Sequence, residues 1–168
     1  LGRRASGELA AVGDGGVVLQ LNARHVSWQQ RVLPAAVADA QTDLLAVWLS
    51  STESWVVGAA ATVVRCPIID GACVVVAMPL SMAGDTTLRG VSGIESTAYV
   101  RASASAAVLN PVQMLDVWVV GDGGLVLHFD GTTWTEQSVG AGALRSVFAL
   151  STSDVWACGD NGMLMHYD

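Results

Sequence analysis

Lysine is absent from this chain: all eight basic residues are arginine, set against fifteen acidic ones for a formal net charge of −7. Nucleic acids and anionic membrane surfaces are bound through basic patches, so neither is expected as a partner. The arginine-only usage reads as the mark of a GC-rich bacterial genome. Long apolar runs are missing too. The best, 55–64 and 72–80, are interrupted by glycine or proline and are strand-length, so no membrane insertion is expected. Helical periodicity is nearly absent; the one candidate, 35–45, lacks a cap and reads as a loop leading into a strand. Catalytic signatures are missing as well. There is no GxSxG, no P-loop and no dinucleotide fingerprint, because Gly13-Asp14-Gly15-Gly16 follows one strand and opens another. Neither His128 nor His166 has an HxxxH or CxxC partner, so no metal and no cofactor are expected, and His25 carries no signal.

Cysteine is scarce. Cys66 and Cys73 flank Asp70-Gly71, a turn dipeptide, and sit opposite each other if the turn spans 68–71. They form either a disulfide, which implies an oxidising compartment, or two small buried apolar side chains. Cys158 falls at an apolar repeat position and is expected in the core. What the chain has in quantity is apolar residues, 52% of the total with a mean hydropathy of +0.47. Strands covered on both faces produce such an excess without a membrane.

The main positive signal is repetition. Residues 116–130 (DVWVVGDGGLVLHFD) and 154–168 (DVWACGDNGMLMHYD) share eight of fifteen positions, 38 residues apart. The frame extends to 8–22 and 53–67, and as bare apolar rhythm to 98–112, with starts at 8, 53, 98, 116 and 154. Each copy reads as two strands about a turn, with Asp122-Gly123 and Asn161-Gly162 as dipeptides that tolerate positive φ; the middle copies lack such residues. A further strand precedes three of the hairpins, at 45–49, 88–92 and 144–150, and a tryptophan-led strand follows, at Trp28 and Trp134. Four strands in about 45 residues is the period of a propeller blade. The expected fold is all-β, a β-propeller or partial propeller of four to five degenerate four-stranded repeats. Residues 1–168 form one such repeat domain, expected to be part of a longer chain. The 18-residue step from 98 to 116 breaks the period and implies an irregular or deleted blade.

The runs DVWVVGDGGLVLHFDGTTW and LRSVFALSTSDVWACGDNG resemble bacterial repeats of the form LRGVW…DVWAVGDGGTILHYDG, grouped with Asp-box (BNR-like) and photosystem II assembly-factor-like propellers. The resemblance is good over 88–168, moderate over 8–65 and poor over 66–87. It implies a propeller in a secreted or envelope-associated protein, binding ligands at the central channel or on loop faces. Asp130-Gly131-Thr132-Thr133-Trp134 lacks the spacer of a true Asp-box, which distances the chain from sialidases.

The candidate site residues follow from the repeat. Asp14, Asp122 and Asp160 recur at one turn, either as a ring of ligand-binding carboxylates or, preferably, as turn formers bonding their own backbone. Arg89 and Arg145 start inner strands, where they either meet an anionic ligand in the channel or pair with turn aspartates of the next blade. His128 and His166 recur as polar positions bonding a neighbouring blade or capping a strand. Trp55, Trp118 and Trp156 are expected between blades, Trp48 in the core, and Trp28 and Trp134 partly exposed, where an indole serves as a platform for sugar rings. The expected function is a non-catalytic binding or scaffolding module for a protein or glycan partner, extracellular or in the cell envelope. The alternatives are a lectin-like propeller and a fragment of a sialidase-like hydrolase. Open sheet faces at either end imply a homo-oligomer or the remaining blades of a larger propeller.

Overall fold

The computed structural model describes residues 1–4, 7–21, 27–69, 71–78, 85–101, 109–140 and 142–168. Its strands fall into four antiparallel sheets of three or four strands, each a meander in chain order. The first contains β1 (Gly2–Arg3), β2 (Leu9–Gly13), β3 (Val17–Leu21) and β4 (Gln29–Gln30). The second contains β5 (Leu44–Leu49), β6 (Glu53–Gly58), β7 (Val63–Pro67) and β8 (Val74–Val75). The third contains β9 (Leu88–Arg101), β10 (Leu109–Gly121), β11 (Leu125–Phe129) and β12 (Trp134–Ser138). The fourth contains β13 (Leu144–Ser151), β14 (Asp154–Gly159) and β15 (Leu164–Tyr167). A single helical turn, α1 (Ala35–Ala38), lies inside the stretch expected to be loop, and β5 starts where the inner strand was expected.

Three apolar layers hold the sheets together, one at each seam. Alternation along a strand sends successive side chains to opposite faces. In β10, Val117 and Val119 pack back against Trp55, Val57 and Val63 of the second sheet. Their neighbours Trp118 and Val120 pack forward against Val147, Ala149 and Val155 of the fourth. At the first seam, Ala10 and Val18 meet Val56, Val64 and Leu49. Consecutive sheets therefore face one another through both sides, which is the blade stacking of a propeller. Among the described residues there are four such sheets, the last with three strands, and the ring is not closed: this is a partial β-propeller.

The inner strands run closest together, and small residues permit it. A Cβ on Gly90 would press on the backbone of Ser146 and Val147, and one on Gly93 would strike the indole of Trp48. Ser92 Oγ accepts a hydrogen bond from the Ala149 amide across the third seam at 3.0 Å. At one end of the inner strands the Arg4 guanidinium donates to the Ser51 carbonyl, and Glu95 accepts from the Ser51 amide at 2.6 Å and from its hydroxyl.

The irregular spacing has a simple cause. β9 and β10 pair from Gly121 out to Leu109, so 98–112 is the far end of one long hairpin and not a fifth repeat. Residues 102–108 of that copy, with Asp70 and His25, lie outside the described residues. Cys66 and Cys73 form a disulfide that ties β7 to the segment entering β8. In the chain-entropy account, closing so short a loop contributes about 2.5 kcal/mol.

The hairpin turn is the same in all four blades. Positive φ falls at Gly15-Gly16, Ala60-Ala61, Gly123-Gly124 and Asn161-Gly162. The third turn is thus displaced by one residue from the expected Asp122-Gly123. The second blade keeps the turn without suitable residues: Thr62 donates back to the Ala59 carbonyl with Ala60 and Ala61 both at φ 51°. A left-handed alanine costs about 1–2 kcal/mol. Replacing the pair by Asn-Gly (Ala60→Asn with Ala61→Gly) is expected to stabilise the domain by about 1 kcal/mol. Urea denaturation should show a higher midpoint at an unchanged m-value; a lower midpoint would contradict the turn assignment.

Candidate functional site: paired charges at the blade turns

Register explains the glycine that recurs at one place in three of the repeats, Gly58, Gly121 and Gly159. Val120 pairs with Gly90 and Gly121 with Leu88, leaving Arg89 unopposed; Cys158 pairs with Ser146 and Gly159 with Leu144, leaving Arg145 unopposed. Leu45 is bulged in the same way in the second blade. Such a bulge re-aims the extra side chain. It also presses the inner strand onto the second strand, so a Cβ on Gly58, Gly121 or Gly159 would overlap the carbonyl oxygen of Asp43, Thr87 or Ala143. The backbone at these glycines is extended, so the requirement is for space.

Each bulged arginine turns onto the aspartate that opens its own turn. Arg89 donates through Nε to Asp122 Oδ1 at 2.5 Å and through Nη2 to Oδ2 at 3.1 Å. Arg145 does the same to Asp160, at 2.7 and 3.0 Å. Bidentate geometry is the strongest form of this contact. The pairing lies within one blade and does not reach the next one, as one of the two expectations had it. Arg89 holds the Asp122 carboxyl below its ordinary value, and Arg145 does so for Asp160. Asp160 also feels Arg89, and Arg145 feels Asp122, so the two pairs stand side by side as an alternating row of charge. The second blade has Leu45 and Ala59 at the corresponding positions, and Asp14 of the first has no arginine against it among the described residues. Beside Asp14, the Gly15 amide donates to Asp43 Oδ1 at 3.1 Å.

A second constellation recurs on the blade faces, one that sequence reading had split into separate residues. Trp118 and His128 lie opposite each other in register and stack at 3.9 Å with 11° between planes. Asp116 accepts from Trp118 Nε1 at 2.7 Å and bonds His128 Nε2 at 2.9 Å. The fourth blade repeats this with Asp154, Trp156 and His166. Both histidines are therefore held inside their own blade. In the second blade Glu53 and Arg65 replace Asp and His; Arg65 chelates Glu53 and lies 4.8 Å over Trp55, whose buried Nε1 has no hydrogen-bond partner among the described residues. The shared i, i+2 spacing of Asp and Trp and the His twelve residues on were visible in the repeat. Their joint purpose needed the strand register.

Two expectations require correction. Trp156 is 38% exposed where Trp118 is 6%, and Cys158 is exposed, because no fifth blade covers the far face of the fourth. Trp134 is half-buried, packed edge-on to Trp55 at 5.9 Å and against Phe129 at 5.1 Å. Trp28 is exposed. Asp130 accepts from the amides and hydroxyls of Thr132 and Thr133, closing the turn before β12. Those bonds, the Thr133 amide foremost, hold its carboxyl far below the ordinary range.

The chain is thus a partial β-propeller whose third and fourth blades each pair an inner-strand arginine with the aspartate of their own turn. Among solved structures it is similar to one titled "YCF48 bound to D1 peptide", at a TM-score of 0.63 and 15% identity, over 99% of this chain and 49% of that one. YCF48 from Cyanidioschyzon merolae aligns over 94% of this chain and 65% of that one at 13% identity and a TM-score of 0.40. The chain spans about half the length of the first of these. At 15% identity the likeness is one of fold. No family model and no curated protein sequence matches.

Two outcomes follow from the geometry. Asp116→Ala strands the buried indole N–H and is expected to cost about 2 kcal/mol, whereas Asp154→Ala, on the uncovered face, costs far less. Equilibrium urea unfolding of the two variants compares them directly, and equal losses would show that burial does not set the value of the clamp. For Asp122, Asp130 and Asp160 the folded-state pKa lies below the ordinary 3.8. Their contribution to stability is therefore complete above that value and is lost as pH falls through the depressed one. Asp122→Asn with Asp160→Asn should flatten the loss of stability between pH 5 and pH 2; an unchanged acid limb would argue against the ion pairs.

Proposed function

We propose that this chain is a non-catalytic propeller module that binds an extended segment of a partner protein, within a secreted or envelope-associated protein. The observation that carries this reading is the long β9–β10 hairpin. β10 pairs with β11 only over Val117–Val120, so its outer half has no second neighbour among the described residues. That half bears exposed Val112 and Met114, with Tyr99 exposed on the opposite strand. A free strand edge beside apolar side chains is what an added peptide strand uses, the main chain supplying affinity and the side chains selectivity.

Other features support the same reading. Arg89 and Asp122, Arg145 and Asp160, and the two histidines with Asp116 and Asp154 are each bonded within their own blade. Trp134, the residue best suited to a sugar ring, is packed on Trp55 and Phe129. A propeller of the same fold carries a peptide in the structure titled "YCF48 bound to D1 peptide". The Cys66–Cys73 disulfide fits an oxidising compartment.

An array of apolar-polar alternating peptides, run beside a glycan array, tests the proposal. Peptide binding is expected, with a loss of at least tenfold in Val112→Glu/Met114→Glu. Binding to glycans with silence across the peptides would overturn it in favour of a lectin-like module.

A further inference from the structure

The outer half of β10 offers a particular set of backbone groups, and Pro111 and Gly131 decide which. Pro111 lacks an N–H, so its pairing with Tyr99 belongs to the non-hydrogen-bonded pairs of the β9–β10 ladder. Such pairs alternate with bonded ones, and the register is unbroken from Leu109 to Val120. Even-numbered residues of β10 therefore turn their backbone groups onto β9, and odd-numbered ones turn theirs away. The Asp122 amide, which donates to the Thr87 carbonyl just before β9, fits the same count. Pro111, Gln113 and Leu115 thus face the open edge. At Leu115 that edge closes. Continuing the pairing of Val117 with Phe129 sets Gly131 opposite Leu115, and a Cβ on Gly131 would lie 3.1 Å from the Leu115 oxygen and 3.9 Å from its nitrogen.

From 111 to 115 the edge reads acceptor, donor, acceptor, donor: the Pro111 carbonyl, the Gln113 N–H, the Gln113 carbonyl and the Leu115 N–H. A parallel strand matches that order, because each of its bonded residues donates to the residue before its neighbour and accepts from the residue after it. A partner residue beside Val112 donates to Pro111 and accepts from Gln113, and one beside Met114 donates to Gln113 and accepts from Leu115. Three consecutive residues make four bonds. An antiparallel strand makes fewer here. Its residue opposite Gln113 exchanges two bonds, the one opposite Pro111 can only donate, and the place opposite Leu115 is taken by Gly131. A second copy of the chain paired edge to edge across a two-fold axis runs antiparallel and meets the same obstacles, which is how an edge proline prevents self-pairing.

Side chains sort with the bonds. Val117 and Val119 face the second blade and Trp118 and Val120 the fourth, so alternation places Val112 and Met114 on the latter side. In the parallel arrangement the two bonded partner residues point to that side as well, over exposed Val112 and Met114. The residue between them lies beside Gln113, whose Oε1 accepts from the Thr97 hydroxyl at 3.2 Å. We infer that β10 takes its peptide as a parallel strand, with apolar residues at two alternate positions, the amino end toward the hairpin tip and the carboxyl end at Gly131. That direction presupposes peptide binding at this edge, proposed above, and adds register to it.

The probe is the capped peptide Ac-Thr-Val-Thr-Val-Thr-NH2, titrated by NMR against the 168-residue chain. N-methylating either valine is expected to weaken binding about tenfold, since each valine N–H bonds the edge, and N-methylating the central threonine changes it little. A nitroxide on the amino end should broaden the Asn110 amide more than the Gly131 amide, and one on the carboxyl end the reverse. Gln113→Pro keeps the β9 pairing, because its nitrogen faces outward, yet it removes a donor and blocks the edge. Binding is expected to vanish in that variant with far-ultraviolet circular dichroism unchanged. Sensitivity at the central threonine, with the two nitroxide patterns exchanged, overturns the direction; loss of binding in Gln113→Pro then leaves the site itself standing. Binding indifferent to Gln113→Pro, or no binding of the peptide at millimolar concentration, overturns site and direction together.

Discussion

Every blade of this protein is apolar on both sides, and that single constraint organises the rest. A lone antiparallel sheet with two apolar faces has no stable position in water. Val117 and Val119 look one way and Trp118 and Val120 the other, and all four are buried because a sheet stands on each side of β10. The chain meets the constraint by stacking sheets in sequence order, with small residues at Gly90, Gly93 and Ser92 bringing the inner strands close. At its two ends the constraint is unmet, and Phe148, Trp156 and Leu164 record the fact in their exposure.

Polar residues then serve to aim and lock what the apolar seams position. The bulge at Arg89 and Arg145 converts an inner-strand residue into a partner for the turn aspartate, and Gly121 and Gly159 supply the space the bulge takes. The Asp–Trp–His clamp ties two neighbouring strands while presenting the flat indole to the next blade. The second blade shows how tolerant the plan is: Glu53 and Arg65 rebuild the clamp with other chemistry, Leu45 and Ala59 abandon the charge pair, and Ala60-Ala61 hold a strained turn. Surrounding strands determine that turn so completely that poor local residues still adopt it.

Charged and nucleophilic groups in a repeat protein are easily mistaken for chemistry. Arg89, Arg145, Asp122 and Asp160 sit on one rim, as a ligand site would require. Yet each guanidinium is already chelated by a carboxylate 2.5 to 2.7 Å away. The surface proposed to meet another molecule lies instead where the repeat is interrupted, on the long β9–β10 hairpin.

Period, strand count and blade architecture were legible in the sequence, because the turn residues and the two-sided apolar strands recur at near-constant spacing. The hydrogen-bonding roles of Asp116, Trp118 and His128 were not, since the i, i+2 and i, i+12 spacings acquire meaning only when β10 and β11 pair with Trp118 opposite His128. Nor could sequence tell a fifth repeat from an elongated hairpin, as 98–112 keeps the apolar rhythm of both, and only the pairing of Val112 with Ala98 decides. Whether Trp156 and Cys158 are core or surface was likewise beyond it. Local pattern specifies which faces of a strand are apolar, whereas burial depends on whether another sheet arrives to cover them.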